Sequence, residues 1–367
     1  MSKQSIAILG VGNIGSLIAT GLKALHKPPH VTLLFSSNSR RASFVQHGST
    51  ITVIRSGTKY VYDGFNAAAA DNCVTHIDNL IITTKSHQTV QAIKPLLPFL
   101  SSSTDIVLIQ NGAGTYQKLK KEYWHNKPSP RFIQGVTDHG ANSSVPFEVN
   151  HASIGSIRLA VVPESERHAP SSEPPYMLQL LAACPDLNAT LVSYEEITEI
   201  MYRKLVSNCC INPLTALYRV PNGFLAENQH ARDSVYQITS ECCHILNAYN
   251  TLHGISLGFV PAKMFDSVLQ VIKLTAQNWS SMFQDIHAGK QSEIDFINGF
   301  ILDAYAEISK HGGDPVAKPK INKFLVSMIK SLEAAAAGPA ATTDSTATTD
   351  SLKDSTDPAP RVSPHDP

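Results

Sequence analysis

One glycine-rich turn near the start of the chain constrains its fold more than any other feature. Residues 5–9 are apolar, as in a buried strand, and lead through the spacing Gly-x-Gly-x-x-Gly into a segment of helical periodicity. The first glycine allows a tight bend, the second lets backbone approach a pyrophosphate, and the third lets the helix pack close to the strand. The helix N-terminus favours bound phosphate. The predicted dinucleotide site consists of Gly10, Val11, Gly12, Asn13, Ile14 and Gly15.

The second predicted strand, residues 30–35, ends without an acidic residue. NAD sites usually place a carboxylate there for the ribose 2′-hydroxyl, whereas NADP sites use a cation for the 2′-phosphate. Here the chain continues through four polar residues to Arg40 and Arg41. The two arginines either lie on a solvated helix start or pair with the phosphate. The missing carboxylate favours the second interpretation, so we expect NADP.

Polar residues also stand where later predicted strands end. Lys85 and Asn111 each follow a buried strand, and the carboxyl ends of parallel strands meet at one edge of the sheet, where ligands bind. We therefore expect both residues beside the glycine turn. Thr137 and His139 belong to the same edge, although His139 fits a structural, hydrogen-bonded histidine at least as well. Residues 50–62 alternate apolar and polar and are predicted to form a hairpin inserted in the sheet.

The periodicity becomes helical at Tyr194 and stays so to about residue 333. Lys204, Asn208 and Asn212 are spaced four residues apart, which places one ammonium and two amides on a single helix face. Pro213 predicts a bend or an end of the helix. A polar row on a largely apolar helix either faces solvent or lines a site, and the spacing alone does not choose between them.

Length and charge limit the functions that need to be considered. A chain of 367 residues predicts two domains, and 30 Lys and Arg against 30 Asp and Glu leave no charge excess that favours nucleic acid. The expected partner is a small molecule. The sequence shows neither a bilayer-spanning apolar run nor a presequence, so we expect a cytoplasmic protein, with a mitochondrial location left open. The six cysteines lack zinc-site spacing, and we expect no metal.

The sequence resembles the ketopantoate reductases (2-dehydropantoate 2-reductases) along nearly all of residues 5–330. The motifs that carry the resemblance are Gly10-Val-Gly12-Asn-Ile-Gly15, Thr84-Lys85, Gln110-Asn111-Gly112, Gly135-Val-Thr-Asp-His139, Lys204-x-x-x-Asn208-x-x-x-Asn212-Pro-Leu-Thr-Ala, Pro221-Asn222-Gly223, Ser280-Ser281-Met-Phe-Gln-Asp285 and Glu293-Ile-Asp-Phe-Ile-Asn298. The resemblance implies an α/β fold in which an N-terminal Rossmann domain precedes an all-helical substrate domain. It also implies reduction of ketopantoate to (R)-pantoate by NADPH, in pantothenate (vitamin B5) biosynthesis.

The same resemblance assigns roles to individual residues. Lys204 becomes the general acid that protonates the ketone oxygen, and Glu293 becomes the second catalytic residue of the pocket. Lys85 lies at the junction of cofactor and substrate. Residues implied to bind the substrate are Asn111, which also contacts the cofactor, Asn208, Asn212, Asn222 and Ser281. The chain departs from the family in the position of its arginines, because family members usually have an arginine directly after the second strand.

The predicted organisation has three parts. Residues 1–194 form the NADP-binding domain, residues 195–333 form the helical domain, and residues 334–367, rich in Ala, Thr, Ser, Asp and Pro, form a disordered tail. We expect a monomer or a homodimer. Two further functions fit the same motifs: reduction of another 2-keto acid, and an NADP(H)-binding sensor without catalysis, although a sensor would not need Lys204 or Glu293.

Overall fold

In the part of the chain that the structure describes, strands and helices are mixed as far as residue 191, and the elements that follow are helices. The computed structural model describes residues 5–163, 174–312 and 316–336. Its first elements, in chain order, are β1 (Ser5–Leu9), α1 (Asn13–Lys23), β2 (His30–Phe35), α2 (Asn38–Gln46), β3 (Ile51–Arg55), β4 (Thr58–Tyr62), β5 (Asn66–Ala69), β6 (Asn79–Ile82), α3 (Thr89–Ile93), β7 (Asp105–Ile109), α4 (Thr115–Tyr123), β8 (Arg131–Thr137), β9 (Gly140–Val145), β10 (Glu148–Ser153), β11 (Ile157–Val161), α5 (Tyr176–Ala182) and β12 (Ala189–Leu191).

The main sheet has eight strands in the order β12-β11-β8-β7-β6-β1-β2-β5. β1 pairs in parallel with both β2 and β6, so the strand order reverses at β1. Among the described pairs of this sheet only β8 and β11 are antiparallel. β12 is parallel to β11, so these two strands run opposite to the other six. A reversal of this kind opens a crevice at the carboxyl ends of the strands. This is the Rossmann arrangement that the sequence predicted, and the fold class is confirmed.

The apolar run of β1 is continuous because both faces of the sheet are covered. Ile6 and Ile8 are fully buried in one hydrophobic cluster with residues of α1 and α5. Ala7 and Leu9 point the other way, into a cluster that includes Ile93 next to the end of α3. A strand that buries both faces cannot show the apolar–polar alternation of a half-exposed strand.

The predicted hairpin of residues 50–62 is present, but its predicted place in the main sheet is wrong. β3 and β4 pair with each other in a separate four-stranded sheet of order β4-β3-β10-β9. β5 already occupies the outer edge of β2, so the hairpin finds its partner in β10, which runs parallel to β3. The second sheet packs on α1 through Val53, Val149 and Leu17.

The second part of the chain is helical throughout its described length. Its helices are α6 (Tyr194–Tyr218), α7 (Phe224–Glu227), α8 (Gln229–Leu252), α9 (Pro261–Leu274), α10 (Ser281–His287), α11 (Asn298–His311) and α12 (Lys320–Ala336). No helix of the described ranges is long and apolar enough to cross a membrane. α12 ends at Ala336, and residues 337–367, most of the predicted disordered tail, lie outside the described residues.

The sequence predicted a bend or an end of the helix at Pro213, and the end does not occur, because α6 continues to Tyr218. A proline inside a helix lacks the N–H that would bond to the carbonyl four residues earlier, here that of Cys209. The Cys209 carbonyl instead accepts a hydrogen bond of 3.0 Å from Asn298 Nδ2. Asn298, at the start of α11, is fully buried. A side chain from a distant helix thus supplies the missing donor and lets α6 continue.

Candidate active site

The glycine turn between β1 and α1 has the geometry of a phosphate cradle. Gly10 has a φ of +103°, in the left-handed region that favours glycine, and a side chain there would strike the backbone of Thr84. The Thr83 hydroxyl donates a hydrogen bond of 2.6 Å to the Gly10 carbonyl. A side chain at Gly15 would collide with that same carbonyl. β1, α1 and the end of β6 are therefore packed so closely that the turn is held in one shape.

The residues of this turn fit a dinucleotide pyrophosphate. Open space surrounds Gly12, since no described atom lies within 4 Å of the position that its side chain would take. α1 begins at Asn13 without a capping side chain among the described residues, so its first N–H groups are left for another acceptor. Asn13 itself donates to the Ala141 carbonyl of β9. The second sheet thus borders the cradle on one side.

The two arginines after β2 lie on the exposed first turn of α2, which the Ser37 hydroxyl caps by accepting from the Arg40 N–H. Arg41 Nε donates a hydrogen bond of 2.9 Å to the Ala67 carbonyl of β5. The Arg40 side chain has no hydrogen bond or ion pair with any described residue. Arg41 is therefore held in place, whereas Arg40 is restrained only by its backbone.

Lys204 reaches from α6 to the carboxyl edge of the Rossmann sheet. Its Nζ donates a hydrogen bond of 2.6 Å to the carbonyl of Thr137, the last residue of β8. Asn208 and Asn212 follow on the same face of α6, and Asn212 is only 6% exposed. Neither amide makes a side-chain hydrogen bond to a described residue. Lys204 thus lies between the two parts of the chain, and the row of polar groups as the lining of a substrate site stays a prediction.

Burial lowers the pKa of Lys204 below its ordinary value, and the carboxylates of Asp138 and Glu293 oppose this effect. Burial disfavours the charged ammonium, whereas a nearby negative charge favours it. The influence of Glu293 on Lys204 places these two residues in one electrostatic environment. An ammonium with a lowered pKa releases its proton more readily than an ordinary lysine, which is the property that a general acid needs.

Glu293 lies in the loop before α11 and is only 5% exposed. Its carboxylate accepts a hydrogen bond of 2.9 Å from the Ser86 N–H, and Lys85 Nζ lies 3.7 Å from its other oxygen. Lys85 also forms an ion pair of 2.7 Å with Asp285 of α10. Burial alone would lower the pKa of Lys85, but Glu293 and Asp285 outweigh it and raise that pKa. The loop after β6 is thus joined to the helical part by two ion pairs of Lys85 and by the hydrogen bond from Ser86 to Glu293.

Asn111 stands at the end of β7, next to the same loop. Its carbonyl accepts a hydrogen bond of 2.6 Å from the Ser86 hydroxyl. Two residues later the Ala113 N–H donates to the Phe296 carbonyl, 2.9 Å away, in the loop that carries Glu293. The structure therefore brings Lys85, Asn111 and Glu293 together, as the resemblance implied.

Two predicted substrate residues are placed less favourably. Asn222 donates from Nδ2 to the Thr275 hydroxyl at 3.0 Å and is only 6% exposed, so it holds the turn in which it lies. Ser281 is the exposed first residue of α10, whereas its neighbour Ser280 caps α10 and accepts from the Thr215 hydroxyl of α6 at 2.8 Å. Their roles in substrate binding stay predictions.

Sequence reasoning gave no role to three residues that the structure adds to the site. Asp285 pairs with Lys85, the Ser86 N–H binds Glu293, and Asp138 acts electrostatically on Lys204. Asp285 belongs to one of the motifs that carry the resemblance, and its carboxylate was the sequence feature from which a charged role could have been inferred. The contact of Ser86 is made by its backbone, which no sequence pattern identifies. The described residues contain no cluster of three or more His, Cys, Asp or Glu that could hold a metal.

Both parts of the chain match family models. Residues 6–164 match the model described as ketopantoate reductase PanE/ApbA, and residues 196–312 match the model of its C-terminal region. A probable 2-dehydropantoate 2-reductase from Schizosaccharomyces pombe is 30% identical over 345 residues, which cover 89% of this chain and 96% of that protein. The 2-dehydropantoate 2-reductase of Vibrio cholerae is 29% identical, with 90% and 98% covered.

Solved structures share the fold. The probable 2-dehydropantoate 2-reductase of Bacillus subtilis is similar with a TM-score of 0.69 and 27% identity, covering 89% of this chain and 99% of that one. A D-mandelate dehydrogenase bound to NADH and anilino(oxo)acetate gives a TM-score of 0.74 at 20% identity, covering 91% and 99%. At that identity the likeness concerns the fold alone.

Proposed function

The chain belongs to the ketopantoate reductase family, and from this premise we propose that it reduces 2-dehydropantoate (ketopantoate) to (R)-pantoate with NADPH, a step of pantothenate biosynthesis. The reaction adds a hydride to the ketone carbon and a proton to the ketone oxygen, and it leaves NADP⁺. The protein must therefore hold a dinucleotide, present a proton donor and bind a small anionic keto acid.

The observation that carries this proposal is the contact between Lys204 and the Thr137 carbonyl. It brings the ammonium of the helical part to the carboxyl edge of the Rossmann sheet, where the glycine turn also lies. A proton donor at the dinucleotide edge is what a ketone reductase requires and what a simple binding protein does not. Glu293, which acts on the same ammonium, adds a second buried charge to this edge.

The chain's own residues account for the proton step. As the hydride adds to the ketone carbon, the π electron pair of the C=O bond moves to the oxygen. That pair forms the new O–H bond with a proton donated from Lys204 Nζ. The positive charge of Lys204 stabilises the developing alkoxide, an effect that is strong in a site shielded from water. Glu293 keeps the ammonium protonated until reaction. The amides of Asn208 and Asn212, which make no side-chain hydrogen bond to a described residue, supply hydrogen bonds to the carboxylate and hydroxyl of the substrate, together with Asn111, Asn222 and Ser281.

The glycine turn would hold the pyrophosphate, and Lys85 and Asn111, at the same edge of the sheet, would help to bind the cofactor. When bound, the reduced nicotinamide supplies the hydride. Arg40 and Arg41 favour NADPH over NADH by pairing with the 2′-phosphate, since neither has a carboxylate partner among the described residues. Of the two, Arg41 is held by the Ala67 carbonyl and loses less freedom on binding.

A second candidate is reduction of a different 2-keto acid. A D-mandelate dehydrogenase, solved with NADH and anilino(oxo)acetate, shares the fold, so the fold by itself does not select ketopantoate. The polar row of Asn208 and Asn212 favours ketopantoate, because its hydroxyl group needs partners that an aromatic ring would leave unpaired.

Oxidation of NADPH by the purified protein tests the proposal with four compounds: ketopantoate, 3,3-dimethyl-2-oxobutanoate, pyruvate and phenylglyoxylate. The second compound lacks only the hydroxyl of ketopantoate, and a site built to bind that hydroxyl should lower its kcat/KM by at least about 100-fold. Equal rates for both would overturn ketopantoate as the substrate. NADPH binding without turnover of any compound would identify a sensor.

A further inference from the structure

Beside the catalytic edge lies a pair of buried histidines that the proposed reaction does not use. His139 follows β8 and is 8% exposed, and His151 of β10 is 5% exposed. Their rings are joined by a contact of 3.0 Å between His139 Nδ1 and His151 Nε2. His139 Nε2 lies 3.0 Å from the Leu187 carbonyl, and the Gly155 N–H donates to His139 Nδ1 at 3.0 Å.

The partners of these rings determine where their protons lie. The Leu187 carbonyl can only accept, so His139 carries its proton on Nε2, and its Nδ1 accepts from Gly155. His151 must then donate from Nε2 to His139, and its own Nδ1 accepts from Arg55 Nε at 3.3 Å. Both rings are therefore neutral. A proton added to either ring would face an N–H donor.

His139 is hydrogen-bonded to the residue whose carbonyl binds Lys204. The His139 N–H donates to the Thr137 hydroxyl at 3.2 Å, and the Thr137 carbonyl accepts from Lys204. The ring of His139 anchors this turn to Gly155. The next residue, Ser156, donates from both its N–H and its hydroxyl to the Asp138 carboxylate. The turn that faces Lys204 thus rests on residues 155–156, and the His139 ring is the buried half of that support.

We propose that His139 is a positioning residue for Lys204: its neutral imidazole fixes the turn of residues 137–139 so that the Thr137 carbonyl and the Asp138 carboxylate face the ammonium. The proposal rests on the proposed function only in taking Lys204 as the acid. It goes beyond that function because it makes the pKa of Lys204 depend on His139, a residue with no part in the proposed binding of cofactor or substrate.

The electrostatics give the direction of the effect. A carbonyl acceptor and a nearby carboxylate both favour the charged ammonium and so raise the pKa of Lys204 against burial. If the turn loosens, this support weakens and the pKa of Lys204 falls further. The charged groups around this region are Asp138 and Glu293, which act on Lys204, and Arg55 and Asp186, which flank His151 and form an ion pair of 2.6 Å.

Two substitutions of His139 separate positioning from simple packing. In His139→Asn the side-chain oxygen can lie where Nδ1 lies now and still accept from Gly155, whereas in His139→Gln the volume is filled but that acceptor is misplaced. We expect the pKa of Lys204, followed by NMR of ¹³C-labelled lysine and assigned with Lys204→Arg, to fall by about one unit in His139→Gln. It should stay near the wild-type value in His139→Asn.

His151→Ala is the matched control, because it opens a cavity in the same cluster and leaves the contact between Gly155 and His139. It should lower the melting temperature without moving the pKa of Lys204. The alkaline limb of kcat should shift with that pKa, and kcat of His139→Gln should fall on the order of 10-fold to 100-fold, while KM for the keto acid changes little.

The proposal is overturned if the pKa of Lys204 is unchanged in His139→Gln. It is also overturned if His139→Asn or His151→Ala shifts that pKa as much as His139→Gln does. If His139→Gln does not fold, His139→Asn and the control His151→Ala still test the proposal. A pKa of Lys204 that shifts by the same amount in both variants contradicts the positioning role. The NMR titration needs no turnover. Its outcome is therefore distinguishable from a failure of the proposed reaction, which would appear as a wild-type protein that reduces no keto acid.

Discussion

At the residue scale, we expect the proposed reaction to depend on Lys204 more than on any other side chain. Lys204 is partly buried, and its Nζ hydrogen bond reaches the carboxyl edge of the Rossmann sheet. Lys204→Ala should lower kcat by about 10² to 10⁴-fold, the usual contribution of a general acid. NADPH affinity, measured by fluorescence titration, should hardly change, because the glycine turn and the arginines hold the cofactor.

Exposed Lys263 of α9 offers a matched control, since Lys263→Ala should leave kcat at the wild-type level. Lys204→Arg keeps the charge but cannot release a proton easily, so it should restore little activity. A Lys204→Ala variant that turns over at the wild-type rate would show that Lys204 is not the general acid.

Arg40 and Arg41 of α2 are expected to determine the preference for NADPH. The double variant Arg40→Ala/Arg41→Ala should lower the preference for NADPH over NADH, measured as the ratio of kcat/KM values, by about 10 to 100-fold, since a charge-assisted hydrogen bond is worth about 1.5–3 kcal/mol. Arg41→Ala alone should account for more of the loss than Arg40→Ala, because the Ala67 carbonyl holds Arg41 in place.

Arg232 on the exposed face of α8 provides the control, and Arg232→Ala should keep the preference. An unchanged ratio in the double variant would mean that another group selects the cofactor. At the residue scale the sequence could indicate this selectivity only through a missing carboxylate, because the positions of long, exposed side chains depend on their neighbours in space.

At the scale of elements, the continuity of α6 through Pro213 depends on Asn298. Asn298→Ala leaves the Cys209 carbonyl without its donor and should lower the free energy of unfolding by about 1–3 kcal/mol. Pro213→Ala restores the backbone N–H at position 213, so the same substitution of Asn298 should cost less in that background. Urea unfolding of the four proteins in this cycle measures the coupling.

Equal costs of Asn298→Ala in both backgrounds would contradict the compensation. A residual cost is expected in either case, because Asn298 Nδ2 also lies 2.9 Å from Asn322 Oδ1. The sequence predicted an end or a bend at Pro213 because local rules cannot foresee a donor that lies 89 residues apart from its acceptor.

Arg55 of β3, His151 of β10 and His139 in the turn after β8 form one hydrogen-bonded cluster. Burial lowers the pKa of His151, an effect that His139 and Arg55 reinforce and Asp186 opposes. The unfolded chain therefore binds a proton near pH 6.5 that the folded protein resists. Stability is fully present above that pH and is lost as the pH falls through the lower pKa of the folded state.

We expect the free energy of unfolding to decline between pH 7 and pH 5, and we expect His151 to contribute to that decline. His151→Leu should reduce the slope of stability against pH, even if it lowers stability itself. Urea unfolding at several pH values compares the two proteins, and identical slopes would remove His151 as the cause.

At the scale of the whole molecule, α12 closes the loop that carries Glu293. Glu333 accepts a hydrogen bond of 2.8 Å from the Ser292 N–H, and Lys330 pairs with Asp295 at 2.7 Å. Deleting residues 338–367, which show no apolar periodicity, should leave kcat and the melting temperature nearly unchanged. Deleting residues 330–367 removes both contacts and should lower the melting temperature and kcat together.

A large loss in the shorter deletion would show that the C-terminal segment packs against the rest of the protein. Size-exclusion chromatography of the same proteins tests the expected monomer or homodimer. The expected cytoplasmic location and the boundaries at residues 194 and 333 likewise stay predictions.

The sequence by itself determined the elements whose causes are local: the strand, turn and helix of residues 5–23, the polar row on α6 and the change to helices near Tyr194. Tertiary structure alone decided the rest. The hairpin of residues 51–62 joined a second sheet because β5 had taken the free edge of β2, and Glu293 met the Ser86 N–H although 207 residues separate them. Such contacts depend on how the elements pack and on which backbone groups stay unpaired when they are buried. Neither can be inferred from the local pattern of residues along the chain.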